Sequence, residues 1–215
     1  MARAVIACRT IEHELRSAMC ACRCCDEVIW LESGLHDVPA KLHGVLQDAL
    51  DGCTGFDTVL LAMGFCGNSV LGLRSGGFQL VLPRADDCIT LLLGSTARRV
   101  ELLSERAYFM TEGWLRGERN LWREYEHVVE RYGKNRGKAV FDTMLRNYRK
   151  LVLVDTGCFD TEEARAQTQE IARKLNLAYD EIPGTLQYLR RLLDGPWEKE
   201  SFIVLPPYAE LTQES

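Results

Sequence analysis

The chain has 215 residues, 47% of them hydrophobic and 27% charged, and a formal net charge of −5. This is the composition of a globular protein of one sizeable α/β unit or two small ones, and it has no basic excess for phosphates, which excludes nucleic acid as the main partner. No apolar run approaches the roughly 20 residues that span a bilayer, and the opening Met1-Ala2-Arg3-Ala4-Val5-Ile6-Ala7 is too short for a secretory leader, so a cytoplasmic protein with no membrane partner is expected.

Nine cysteines are then anomalous. A reducing compartment disfavours a disulfide framework, and an odd number cannot fully pair. Some of these thiols are expected as small core fillers and others as chemistry.

A first strand is read over 4–7, ending at Cys8, followed by a helix with Thr10 as its N-cap. Cys20-Ala21-Cys22-Arg23-Cys24-Cys25 is the densest thiol cluster. Its spacing matches no common zinc or ferredoxin pattern, and it falls in a helix-to-strand connection. The strand over 26–31 leads into Ser33-Gly34-Leu35-His36-Asp37-Val38-Pro39. Asp37 reads as the cap of the next helix, and His36 sits where it could face a site.

The most informative stretch is Asp57-Thr58-Val59-Leu60-Leu61-Ala62-Met63-Gly64-Phe65-Cys66-Gly67-Asn68. An unbroken apolar run of strand length fits a parallel strand covered on both faces. Gly64 and Gly67 permit a tight turn and bring backbone close to a bound cofactor. The Cys66 thiol is thus offered at the carboxyl end of a strand, where open α/β sheets place ligands. A fourth strand over 78–82 is stopped by Pro83. Arg84-Ala85-Asp86-Asp87 follows and caps a helix whose first turn holds Cys88, a position that favours the thiolate.

A strand over 106–111 precedes a charged helical insertion around 113–149, broken into two helices at Gly133 and Gly137. Its aromatics, Trp114, Trp122, Tyr125, Phe141 and Tyr148, suit a core, a lid or a partner face. The strand over 151–155 ends in Asp155-Thr156-Gly157-Cys158, and Asp160 or Thr161 caps the helix after it. A strand over 177–182, a helix over 184–193 and a strand over 201–205 close the chain. The expected fold is α/β: a mostly parallel sheet with flanking helices and Rossmann-like halves, 1–112 and 150–215, on either side of the insertion and packed as one unit. The fingerprints G-x-G-x-x-G and Walker A are absent, so a nicotinamide or nucleoside triphosphate enzyme is poorly supported.

In a parallel sheet every strand points one way, so the strand-end thiols Cys8, Cys66, Cys88 and Cys158 are expected along one rim. Soft thiolates select iron–sulfur clusters, zinc or copper(I). Three leave a coordination position for substrate, and four close the site. Two plainer readings compete: all four thiols as packing residues, or Cys66 or Cys88 as a nucleophile paired with His36 or His13.

The phrases Ile6-Ala7-Cys8, Gly34-Leu35-His36-Asp37, Gly64-Phe65-Cys66-Gly67-Asn68, Pro83-Arg84-Ala85-Asp86-Asp87-Cys88-Ile89, Leu92-Leu93-Gly94-Ser95 and Asp155-Thr156-Gly157 together resemble the bacterial and archaeal family called domain of unknown function 1638. Where that family carries a histidine, this chain has Ala85 or Asp86. The resemblance implies that Cys8, Cys66 and Cys88 are the family thiols, and that Cys158 and the Cys20–Cys25 cluster are peculiar to this chain. It also implies a place beside corrinoid-dependent methyltransferases in anaerobes. The expected protein binds a metal through Cys8, Cys66 and Cys88, a 4Fe-4S iron–sulfur cluster being favoured over zinc because every ligand is sulfur. Arg84, Asp87, His36 and Asn68 would surround the centre and orient a small-molecule substrate. It would act as a methyltransferase or iron–sulfur enzyme. The alternative is a non-catalytic accessory of a corrinoid protein or methyltransferase that uses the 114–148 helical face.

Overall fold

Three apolar runs carry the architecture. In the computed structural model, which describes residues 2–117 and 120–213, they form β1 (Arg3–Cys8), β3 (Thr58–Ala62) and β4 (Gln79–Pro83). With β2 (Glu27–Leu31) and β8 (Phe202–Leu205) they make a sheet ordered β2-β1-β3-β4-β8, parallel except for the β4–β8 pair. β1 and β3 are neighbours, and the chain runs outward from them in opposite directions. That reversal opens a crevice beyond their carboxyl ends.

Both faces of this sheet are covered, which explains why its central strands show no polar alternation. On one side lies α2 (Pro39–Asp51), whose Leu42, Leu46 and Leu50 recur every fourth residue and are buried with Val59, Leu61 and Leu80. On the other side are α1 (Glu12–Ala21), α3 (Cys88–Leu93) and α9 (Gln187–Asp194). Leucines buried this way each contribute about 1.5–3 kcal/mol.

The same helical layer is shared with a second sheet, all parallel, of β5 (Ala107–Met110), β6 (Lys150–Asp155) and β7 (Ala178–Pro183) in the order β5-β6-β7. Val5, Leu60 and Val81 of the first sheet join Phe109, Val152 and Val154 of the second in one buried cluster. The outer face of the second sheet is covered by α6 (Leu121–Tyr132), α7 (Lys134–Met144) and α8 (Thr161–Leu175). α5 (Glu112–Arg116) and α6 and α7 form the expected insertion between β5 and β6. The stretch from 150 onward is divided between the sheets, because α9 and β8 return to the first one.

Several local expectations change. Thr10 does not cap α1: residues 9–11 form a 3₁₀ turn, and the Thr10 hydroxyl meets Cys8 Sγ at 3.1 Å. Asp37 lies in another 3₁₀ turn, and Val38 begins α2 without a side-chain cap. Pro83 stops β4 as expected, but as its last residue, paired with Phe202, so the strand runs over 79–83 instead of 78–82. Gly133 breaks the insertion, but Gly137 lies inside α7, packed so closely on α6 that a Cβ there would come 2.6 Å from Val129 Cγ2. Residues 96–105, given no element from sequence, contain α4 (Thr96–Ser104), capped by Ser95.

Candidate functional site

The crevice at the strand ends is a cavity of about 350 Å³. Its floor comes from the first sheet, and α4, β5 and α5 close the far side through Arg99, Leu103, Tyr108, Phe109 and Trp114. Cys8, Cys66 and Cys88 all line it, together with His36, Asp87 and Gly67.

Each thiol is placed by backbone geometry. Cys8 is the last residue of β1. Cys66 follows β3 in a left-handed turn, with φ 44° at Cys66, 71° at Gly67 and 65° at Asn68. A left-handed cysteine costs about 1–2 kcal/mol, and the turn persists because Phe65 N–H donates to Ala85 O and Cys66 N–H to Asp86 O, each at 2.8 Å. Gly64 permits this contact: a Cβ there would lie 2.6 Å from the Asp87 backbone. Cys88 opens α3 behind Asp87, whose Oδ1 accepts from Thr90 N at 2.8 Å and Thr90 Oγ1 at 2.9 Å.

The thiols lie within one another's electrostatic reach. Burial, then the charges of Cys8 and Asp87, push the Cys66 thiol up to about 12. Burial, followed by Cys66, Asp87, Cys8 and Glu14, raises Cys88 well above the ordinary thiol value. The thiolate expected for Cys88 from its helix start is therefore overturned, since desolvation outweighs the dipole of a six-residue helix. At Asp87 burial also pushes upward, but hydrogen bonds from Arg99 and Thr90 prevail and hold the carboxyl below its ordinary value.

His36 faces the edge of Trp114 at 5.0 Å between centroids and lies 3.5 Å from Asp37. His13 is elsewhere, 3.5 Å from Glu112 on a separate polar pocket, and does not pair with Cys66 or Cys88. Three expected residues do not line the cavity: Gly64, which is buried against the Asp87 backbone, Arg84 and Asn68. Arg84 reaches towards the β8 connection, where its Nε donates to Lys199 O at 2.7 Å. Asn68 is exposed, and its carbonyl closes the turn by accepting from Leu71 N.

The remaining cysteines divide plainly. Cys158 donates to Thr156 O at 3.4 Å beyond β6 and does not join the rim, because β6 belongs to the other sheet. Cys20 and Cys25 are exposed, and Cys53 is buried against Ala49 O. Cys24 Sγ accepts from Arg3 at 3.8 Å, and burial pushes Cys22 up to about 11, with Asp194 adding to it. Phe141 is buried, and Trp122, Tyr125 and Tyr148 are partly buried where they pack inside the insertion and onto the second sheet.

Arg99 was not foreseen. It holds Asp87 Oδ2 through Nη2 at 2.8 Å and Nε at 3.3 Å, and its Cζ sits 4.4 Å over the Phe109 ring. Its only sequence signal is that Ser95 can cap the helix that carries it.

Fold and site together define an α/β protein with a thiol-walled cavity at the switch point of a mostly parallel sheet. The chain belongs to the family described as "Protein of unknown function (DUF1638)", whose profile matches residues 30–193. Cys66, Cys88, His36, Asp87 and Arg99 lie inside that span, and Cys8 precedes it. No curated protein and no solved structure matches the chain.

Proposed function

We propose that this is a metal-binding protein whose Cys8, Cys66 and Cys88 hold a soft metal centre, a 4Fe-4S cluster ahead of zinc, at a cavity that seats a small-molecule substrate. The observation that carries this reading is the convergence of three thiols, 58 and 22 residues apart in the chain (8 to 66, 66 to 88), on one cavity wall. The donor set suits a thiolate-selecting metal, and three protein ligands leave one coordination position free. Among the described residues no three His, Cys, Asp or Glu side chains are grouped closely enough to hold a metal as they stand. Loading would therefore deprotonate the thiols and draw their loops together, with the cation supplying the charge that offsets burial.

Such a centre, when bound, supplies Lewis acidity or an electron at its open position. The chain's own groups do the rest. Thr10 fixes Cys8, the Gly64 contact fixes the Cys88 loop, and Asp87 with Arg99 fixes the polar corner. A role in or beside corrinoid-dependent methyl transfer in the cytoplasm rests on the family resemblance. In that case the corrinoid sits on a partner protein, because a corrin macrocycle exceeds a cavity of about 350 Å³.

The test is iron, sulfide and zinc analysis with an ultraviolet–visible spectrum on anaerobically purified protein. The expected result is about four irons and four sulfides per chain, lost in the Cys8→Ser, Cys66→Ser, Cys88→Ser triple variant. One zinc without colour would select the second metal. Neither metal after attempted reconstitution would overturn the reading and leave a non-catalytic accessory with structural cysteines.

A further inference from the structure

Among the described residues lining the cavity, Arg99 is the only lysine or arginine, and its side chain is 15% exposed. Two of its nitrogens are spent on Asp87 Oδ2, while Asp87 Oδ1 is taken by Thr90. Asp87 therefore has nothing left for the remaining terminal nitrogen. Arg99 Nη1 is buried without a hydrogen-bond partner. An unmet buried donor on a charged group is costly, and a ligand acceptor is one way to meet it.

Charge decides what kind of acceptor. Asp87 already neutralises Arg99, and the other charged lining residues, Glu32 and Asp86, are acidic. Glu32 is paired with Arg9, whereas Asp86 is exposed. An anionic head would add to a negative surplus in partly buried surroundings, whereas a neutral carbonyl oxygen satisfies Nη1 without adding charge. Phe109 lies under the Arg99 guanidinium, and Ile89, Leu103, Tyr108 and Trp114 add apolar and aromatic surface to the cavity lining. A volume of about 350 Å³ is at the small end for ligand sites.

We infer that the cavity takes a small, uncharged, mainly apolar molecule bearing a carbonyl-type oxygen, and that Arg99 Nη1 is the donor that selects it. Because Nη1 is closed off from solvent, the contact requires the guanidinium to shift against the Phe109 ring while its fork on Asp87 holds. The inference rests on the reading of this cavity as the substrate site and is independent of which metal the thiols take.

The experiment titrates the purified full chain with cyclic ketones of increasing ring size, the matching ring carboxylates and the matching ring ammonium ions. Binding is read by ligand-observed NMR and by tryptophan fluorescence. Ketones are expected to bind best, and Arg99→Lys, which can still pair with Asp87 but lacks the third nitrogen, should weaken them about ten-fold. The thermal midpoint of Arg99→Lys controls for folding, and Arg99→Gln serves as a second variant if the lysine form unfolds. Carboxylates binding more tightly than ketones, ketone affinity unchanged in both variants, or no probe binding at all would each overturn the inference. The triple serine variant separates the two readings. If it binds ketone normally while wild-type protein also holds no metal, the metal proposal falls and this one stands.

Discussion

Two groups of cysteines behave in opposite ways. Cys20, Cys22, Cys24 and Cys25 are crowded within six residues, yet two are exposed and the others engage Arg3 and Asp194. Cys8, Cys66 and Cys88 are scattered over 81 residues (8 to 88 inclusive), yet they share one cavity. Crowding along a chain does not of itself enclose side chains: this cluster straddles the end of α1 and the connection after it and lines none of the main cavity. Convergence requires that separate strands run parallel and end at one rim. The lesson is that topology, more than local density, builds a site.

The largest expected effect breaks this comparison at once. Replacing Cys8, Cys66 and Cys88 by serine should abolish metal uptake, whereas replacing the four clustered cysteines should leave the metal content of anaerobic protein unchanged. The reverse result would move the site to the connection. Next comes Gly64→Ala. Its Cβ would sit 2.6 Å from the Asp87 backbone and 2.8 Å from Ala85 O, so the loop bearing Cys88 must move. A loss of about 3 kcal/mol is expected in chemical denaturation. A neutral outcome would show that the loops are not locked together.

Alkylation sharpens the contrast by rate. With iodoacetamide on metal-free protein at about pH 8, Cys20 and Cys25 should label first, and Cys66 and Cys88 at least about ten-fold more slowly, as peptide mass spectrometry can follow. The sign is fixed by burial: a thiol pushed up to about 12 stays neutral at lower pH, so Cys66 labelling should keep accelerating as pH rises towards that value. Fast Cys66 labelling at neutral pH would contradict the burial of that wall. The smallest effect concerns the left-handed turn. Cys66→Gly should be more stable than Cys66→Ala by about 1 kcal/mol, the reverse of the usual order, because φ is 44° there. Equal stabilities would remove the argument for strain at this thiol.

Part of the site was legible beforehand. Cys66 announced itself because an apolar run of strand length meets glycines on both sides of a thiol, and Asp87 because it precedes an apolar helix. Arg99 was not legible. It lies on a helix twelve residues beyond Asp87, and nothing in its local pattern distinguishes it from Arg98, which pairs outward with Glu101. Arg84 is near Cys88 in sequence but does not line the cavity. Its strand end points towards β8, an antiparallel neighbour that no local signal predicts. Of the aromatic wall, Tyr108 and Phe109 come from β5 of the second sheet and Trp114 from α5 just after it, and the docking of that sheet depends on helices shared between the two layers.

By itself the sequence determined the parallel α/β character and the thiols at strand ends, because hydrophobic period, glycine and capping residues act over a few neighbours. Only the tertiary structure decided that Cys8, Cys66 and Cys88 line one cavity while Cys158 does not. That choice depends on strand order and on which faces are buried together. Both are set by non-local burial of whole strands and helices, which no short stretch of chain encodes.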